Sequence, residues 1–228
     1  MLYHLYQFTQ MFGVLPSKSL KCLHRMLARL MLIRIRPYLQ IEGWLAPDEA
    51  AALYLLSSIL EPGSTVVEIG SWKGKSTFCL AKGLRKGGRV IAIDTFDASG
   101  EKSSSKLYSQ LKGTASLFQQ FQDNMVRLKI SNRIRALKGP SSEFIGQISK
   151  IDLLFIDGDH SVRGCDSDFL NYSPFIVPGG YLALHDFDAS RSDLGPTWVI
   201  RNRILPSEAY EHIVTFRSLW IARRLDLR

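Results

Sequence analysis

Two short polar clusters follow apolar runs in the second half of the chain, and their residue types are those of a metal or acid–base site. The sequence DGDH runs from Asp157 to His160 directly after residues 151–156, and a second cluster, HD, ends at Asp186. Paired carboxylate oxygens suit Mg²⁺ or a similar hard cation, which can lower the pKa of a bound hydroxyl. Asp157 and Asp186 are therefore candidate metal ligands, and His160, with an ordinary pKa near neutrality, is the candidate general base.

A structural interpretation of the same residues stays open. In it Asp157 holds a ligand or begins a helix, His160 caps that helix, and Asp186 stabilises a loop. Asp166 and Asp168, a few residues further on, are expected on the solvated face of the helix.

The sequence VVEIGSWKGKST, residues 66–77, predicts a buried strand, a glycine turn and the start of a helix. In an open α/β sheet, ligands bind where such turns follow the carboxyl ends of strands. Gly70 and Gly74 are separated by three residues, whereas a phosphate-binding P-loop needs four. The dinucleotide pattern GxGxxG is not met either, because Trp72 and Lys73 interrupt it. A purely structural glycine turn stays open.

A second acidic residue, Asp94, ends the next apolar run, RVIAID. A carboxylate in that place can accept hydrogen bonds from both ribose hydroxyls. Nucleoside recognition without a phosphate loop indicates S-adenosylmethionine as the cofactor rather than ATP or NAD.

Four motifs occur in a fixed order: EIGSxxGxST, AIDTFD, FIDGDHS and PGGxxxxHD. Over roughly residues 40–225 the chain resembles the bacterial class I methyltransferases that include macrocin-type sugar O-methyltransferases and cephalosporin-hydroxylase-like proteins. The resemblance implies S-adenosylmethionine-dependent methylation of a sugar or other small-molecule hydroxyl. The cofactor-binding residues that it implies are Glu68, Gly70, Ser71, Gly74 and Ser76 around the methionine portion, Asp94 at the ribose, Ser141 of the turn Gly139-Pro140-Ser141 at the adenine, and Asp157.

The resemblance also bears on the metal and the base. Metal-dependent O-methyltransferases of this kind use paired carboxylates, and they place a base three residues beyond the first one, where this chain has His160. Phe187 stands where catechol-type relatives carry a further amide ligand, so a third ligand for Mg²⁺ is unassigned. A P-loop-like nucleotide hydrolase and a non-catalytic interaction protein of the same fold are the alternatives.

The elements that must position these residues alternate between strands and helices. A helix is predicted over residues 48–60, with Pro47 suited to its first turn. Alternation implies crossover connections and a mostly parallel sheet flanked by helices, a Rossmann-like α/β fold closed by an antiparallel C-terminal hairpin. The predicted strands are 65–69, 90–94, 134–137, 151–157, 181–185, 211–216 and 219–223.

The charge is concentrated at the start of the chain. Residues 1–40 are predicted to be a basic helical N-terminal extension, and they hold six of the 29 basic residues and none of the 21 acidic ones. The net charge of +8 therefore falls to +2 in the S-adenosylmethionine-binding methyltransferase domain predicted over residues 41–228. A near-neutral body disfavours nucleic acid as a partner. The basic amphipathic helix predicted over residues 18–33 packs on the body or a second subunit, or lies on an anionic membrane surface. Three widely spaced cysteines and the lack of a secretory signal indicate the cytoplasm.

Overall fold

The structure is a computed structural model and describes residues 33–98 and 110–226. The predicted basic helix, except for its last residue, lies outside this range, as do residues 1–32 of the predicted N-terminal extension. The end of the extension packs on the body, since Ile35 and Tyr38 are buried in the main core.

Seven strands form a single sheet in the order β3-β2-β1-β4-β5-β7-β6. The first five pair in parallel, and β7 runs antiparallel to both β5 and β6. This confirms the predicted fold class. The strands are β1 Thr65–Ile69, β2 Arg89–Asp94, β3 Ile134–Lys138, β4 Ile151–Ile156, β5 Ile176–Leu184, β6 Tyr210–Phe216 and β7 Leu219–Arg224.

Helices cover both faces of the sheet, because successive residues of the central strands point to opposite sides. Leu153 and Phe155 of β4 enter one core with helices α1, α2 and α3, while Leu154 and Ile156 enter a second core with α4 and α5. The helices are α1 Pro47–Ser58, α2 Lys75–Gly83, α3 Leu117–Arg127, α4 Val162–Tyr172 and α5 Gly195–Val199, the last continued by a π-helical turn, Ile200–Ile204.

Helix α1 begins one residue earlier and ends two residues earlier than predicted. Glu49 accepts the Ala46 N–H at 2.9 Å, so the helix starts with a side chain on one of its unpaired donors. At the other end Leu60 donates to Ser57 at 3.3 Å, a tighter turn that ends the α-helical pattern.

Strand β5 begins five residues before the predicted start at 181. The sequence VPGG at residues 177–180 is typical of a turn, but a register shift beside Ile151 lets Ile176 pair with that residue of β4. The order of the sheet reverses between β1 and β4, and ligands bind at such a reversal at the carboxyl ends of the strands.

Candidate active site

A cleft of about 1610 Å³ opens at the carboxyl edge of β1, β2, β4 and β5. It exceeds the roughly 300–1,000 Å³ of most small-molecule sites, so it has room for a cofactor and a second substrate. Eight of the predicted site residues line it: Gly70, Ser71, Ser76, Asp94, Ser141, Asp157, His160 and Asp186. The two that do not are Glu68 and Gly74.

The turn after β1 crosses beneath the loop after β4 at Gly70. Its backbone is left-handed, with φ +87°, and a Cβ built there would lie 2.1 Å from the carbonyl oxygen of Asp157. Only glycine allows this approach. The turn therefore brings the carboxyl ends of β1 and β4 into direct contact at the centre of the cleft.

Glu68 lies behind the turn and is fully buried. Its carboxylate accepts hydrogen bonds from the hydroxyls of Ser76 at 2.6 Å, Ser71 at 2.9 Å and Thr77. Burial raises the pKa of Glu68 to about 7 despite these three donors. In this structure Glu68 holds the turn to the start of α2, and its oxygens face protein hydroxyls.

Gly74 also lies away from the cleft. Its φ is +90°, and a Cβ there would meet the Cε of Met125 at 2.3 Å and the ring of Phe121 at 3.1 Å. The glycine therefore serves the packing of α3 against the first residues of α2.

Asp94 ends β2 beside the glycine turn, as predicted. Oδ2 accepts the backbone N–H groups of Ser71 and Trp72, both at 2.8 Å, and Oδ1 accepts that of Phe96 at 2.6 Å. Burial raises the pKa of this carboxyl, while the three N–H donors lower it by less. Asp94 thus fixes the turn after β1 to the end of β2.

Ser141 lies in the loop after β3 and is held by two residues of α4. Its hydroxyl donates to Oδ1 of Asp168, and its carbonyl accepts the Tyr172 hydroxyl at 2.6 Å. The prediction for Asp168 is wrong, because the side chain is buried, at 6% exposure, and lines the cleft. Burial raises its pKa to about 6. Cys165, Phe169 and Tyr172 are buried on the same helix face, a three-and-four spacing that identifies Asp168 from the sequence.

The predicted reaction residues converge at the other end of the cleft. Asp157, His160 and Asp186 each place one ligand atom within 4.8 Å of the others. Nε2 of His160 lies 3.1 Å from Oδ2 of Asp186 and 3.7 Å from Oδ1 of Asp157. Burial alone would raise the pKa of Asp157, but the charges and hydrogen bonds of His185 and His160 outweigh it and lower it to about 2.

A buried network behind these residues was not predicted. Nδ1 of His185 lies 3.1 Å from Oδ1 of Asp157, and Nε2 lies 3.3 Å from Oε2 of Glu49. The other oxygen of Glu49 accepts the N–H and the hydroxyl of Ser218 at 3.1 and 2.9 Å. Burial opposes a charged imidazole, yet the surrounding carboxylates raise the pKa of His185 strongly. A protonated imidazole here carries one donor toward Asp157 and one toward Glu49.

A parallel sheet with this strand order and a final antiparallel hairpin, with acidic residues on β1 and β2 and a cleft at the reversal of strand order, defines the class I methyltransferase fold. The chain belongs to a methyltransferase domain family, which matches residues 67–187. The matched segment contains every predicted site residue. Glu49 and Ser218 lie outside it. The predicted methyltransferase class is thereby confirmed.

Similar solved structures share the fold at low sequence identity. The O-methyltransferase from Bacillus cereus in complex with S-adenosylhomocysteine is 18% identical, with a TM-score of 0.59 over 99% of this chain and 100% of that one. The O-methyltransferase NovP is 18% identical, with a TM-score of 0.62 over 79% and 81% of the two chains. TomG from Streptomyces achromogenes, an O-methyltransferase of tomaymycin synthesis in complex with S-adenosylmethionine, is 14% identical, with a TM-score of 0.55 over 87% and 89%.

A curated relative, an uncharacterized protein of Acanthamoeba polyphaga mimivirus, is 28% identical over 127 residues. The match covers 56% of this chain and about half, 53%, of the relative. Within residues 33–98 and 110–226, none of the helices has the length and apolar character needed to cross a membrane.

Proposed function

We propose that the protein methylates a hydroxyl oxygen of a small-molecule acceptor, with S-adenosylmethionine as the methyl donor. The observation that carries the proposal is the cluster of Asp157, His160 and Asp186 beside the turn after β1, in a cleft large enough for two ligands. The likeness to O-methyltransferases solved with S-adenosylmethionine or S-adenosylhomocysteine supports the same donor here.

The residues that line the cleft fit the cofactor. Gly70, Asp94 and Ser141 line the cleft. In the proposal Gly70 would let the backbone approach the methionine portion, Asp94 would lie at the ribose and Ser141 at the adenine. When bound, the cofactor supplies an electrophilic methyl group, so the protein has to align the acceptor, remove its proton and exclude water.

His160 is the proposed general base. His160 lines the cleft, and its Nε2 lies buried between two carboxylates, which orient the ring and would stabilise the imidazolium formed when the hydroxyl proton arrives. The oxygen forms its bond to the methyl carbon as the carbon–sulfur bond breaks, and the proton stays on His160.

Asp157 and Asp186 are the proposed ligands of a divalent cation, which would lower the pKa of the acceptor hydroxyl. The spacing of the ligand atoms fits one ion, and Nε2 of His160 is close enough to be a third ligand. An imidazole nitrogen that binds a cation cannot also accept a proton, so the two roles of His160 are experimentally separable.

The P-loop alternative lacks support from the glycine turn. The N–H groups of Ser71 and Trp72, which a phosphate would need, donate to the carboxylate of Asp94. A carboxylate in that position repels phosphate.

Calorimetric titration with S-adenosylhomocysteine, with ATP as a control, tests the cofactor. The acceptor is identified by incubating the protein and S-adenosylmethionine with each of a panel of sugars and phenols and measuring the S-adenosylhomocysteine released. We expect His160→Ala to lower kcat about 10²- to 10⁴-fold with cofactor affinity unchanged. His212→Ala, on β6 outside the lining of the cleft, is the matched control.

Mn²⁺ binding, measured by electron paramagnetic resonance, separates the roles of His160. We expect Asp186→Asn to lose the ion and His160→Ala to keep it. Loss of the ion from both variants would make His160 a ligand and remove it as the base. ATP binding without S-adenosylhomocysteine binding would contradict the proposed function as a whole.

A further inference from the structure

The end of the cleft beside Ser141 contains a carboxyl group that the proposed chemistry does not use. Asp168 reaches this end of the cleft from α4, and only 6% of the residue remains exposed. Methyl transfer at the other end of the cleft needs no acid here, so the burial of this group requires a different explanation.

The two oxygens of Asp168 have different surroundings. Oδ1 accepts the hydroxyl of Ser141, which fixes the orientation of the carboxyl. No donor among residues 33–98 and 110–226 forms a hydrogen bond to Oδ2, and the side chain borders the cleft. Oδ2 is not among the buried polar atoms of the described residues that lack a partner, so with no protein donor it is reachable from the cleft and suited to a ligand that brings a donor.

Gly158 leaves the space in front of Oδ2 open. A Cβ at that position would lie 3.5 Å from Oδ2 and 3.4 Å from Cγ2 of Ile69. Any side chain there would therefore cover the acceptor. The loop on the opposite side is held by Tyr172, one helical turn beyond Asp168, whose hydroxyl donates to the carbonyl of Ser141 at 2.6 Å.

An ionised carboxylate accepts hydrogen bonds and donates none. A purine with an amino group at position 6 offers a donor there. A purine with a carbonyl at that position presents an acceptor, which a carboxylate repels, and has its donor displaced to N1. We propose that Asp168 is the residue that selects adenine in the cofactor, accepting the exocyclic amino group on Oδ2 while Ser141 holds Oδ1. The inference rests on the proposed use of S-adenosylmethionine.

The test compares S-adenosylhomocysteine with S-inosylhomocysteine, its deaminated analogue, by calorimetry on the purified full chain. The wild type is expected to prefer the adenine form by about 10- to 100-fold, the range of one hydrogen bond to a charged group. Asp168→Asn retains an acceptor for Ser141 and presents an amide donor to the cleft. We expect its preference to fall at least tenfold.

Asp166→Asn is the matched control, since Asp166 lies on the same helix but pairs with Arg203 at 2.8 Å outside the cleft. Its preference should equal that of the wild type. Retained binding of S-adenosylhomocysteine with an unchanged preference in Asp168→Asn would overturn the inference and leave the proposed function standing. A wild type that binds neither compound would overturn both.

A second ligand keeps the test independent of the folding of the variant. S-adenosylhomocysteine with two methyl groups on the exocyclic nitrogen has no donor there. We expect the wild type to bind it at least tenfold more weakly, and equal affinity would count against Asp168. The added methyl groups could also weaken binding by their size. S-inosylhomocysteine separates the two causes, because it lacks the amino donor but adds no bulk, and we expect it to bind weakly as well.

Discussion

Aspartate side chains occur in opposite electrostatic settings at the two ends of the cleft. The nucleoside end is the part beside Asp94, Ser141 and Asp168, and the reaction end is the part beside Asp157, His160 and Asp186. At the nucleoside end, Asp94 and Asp168 are held by backbone N–H groups and a hydroxyl, and burial raises the pKa of both carboxyls. At the reaction end, Asp157 is held by His185 and His160, and its pKa is lowered to about 2. Neutral donors do not offset the cost of burying a charge, whereas imidazoles do.

The difference matches the chemistry proposed for each end. An adenosine moiety is uncharged and offers amino and hydroxyl donors, so carboxylates held by neutral donors can accept its hydrogen bonds without a counter-ion. A cation and a developing alkoxide need carboxylates that stay ionised and a base beside them. In Asp94, Asp168 and Asp157 the direction of the pKa shift thus follows the role proposed for each.

Gly70, where the two ends meet, should give the largest effect. Gly70→Ala places a methyl group against the Asp157 carbonyl in a left-handed backbone, and we expect a loss of about 4 kcal/mol in unfolding free energy. Gly63→Ala is the control, because its φ of +82° is similar but nothing lies within 4 Å. It should cost about 1 kcal/mol. Equal losses in urea denaturation would show that close contact at Gly70 is unimportant.

Asp157→Asn tests the charged end. The carboxylate is stabilised by His185, and its pKa falls from 3.8 to about 2, so we expect the variant to lose about 2 kcal/mol at pH 7. Urea denaturation measures the loss. Stability equal to that of the wild type would mean that the imidazole of His185 does not stabilise this carboxylate.

Asp168→Asn should produce the smallest change in unfolding free energy, and the change should be a gain in stability. The folded protein holds a proton on Asp168 up to a pKa of about 6, against 3.8 for an ordinary aspartate, so wild-type stability falls as the pH rises between these values. The amide has no charge to bury. The pKa difference corresponds to about 3 kcal/mol, and the weaker hydrogen bond from Ser141 to a neutral amide offsets about 2 kcal/mol of it. We therefore expect the variant to be about 1 kcal/mol more stable at pH 8, with the advantage lost near pH 4. A variant that is less stable at pH 8 would contradict the comparison.

Local sequence patterns predicted most of the sheet. Strands such as β1 and β4 are short apolar runs, and parallel strands expose their carboxyl ends at one edge, which placed Asp94, Asp157 and Asp186 around one cleft. The start of β5 was missed because its pairing at Ile176 depends on a register shift in β4, which has no local signal.

The site was less predictable where contacts span the chain. Glu49 lies in the first turn of α1, and nothing near it in sequence indicates that it lies beside His185, 136 residues away. Asp168 carried a usable signal, its spacing from Phe169 and Tyr172 on a buried helix face, but an acidic residue is usually exposed. Burial of polar groups follows from tertiary packing, which composition and periodicity describe poorly.

The contact between Glu49 and Ser218 also sets the time at which the reaction end is completed during synthesis. The two residues are 169 positions apart. Ser218 lies in the turn between β6 and β7, so it is translated after every strand of the sheet except β7. At about 5–20 residues per second, a ribosome needs roughly 10–30 s to travel between them. Asp94, Ser141 and Asp168 are all synthesised before Ser218, so the support behind His185 is among the last parts of the cleft that a nascent chain can complete.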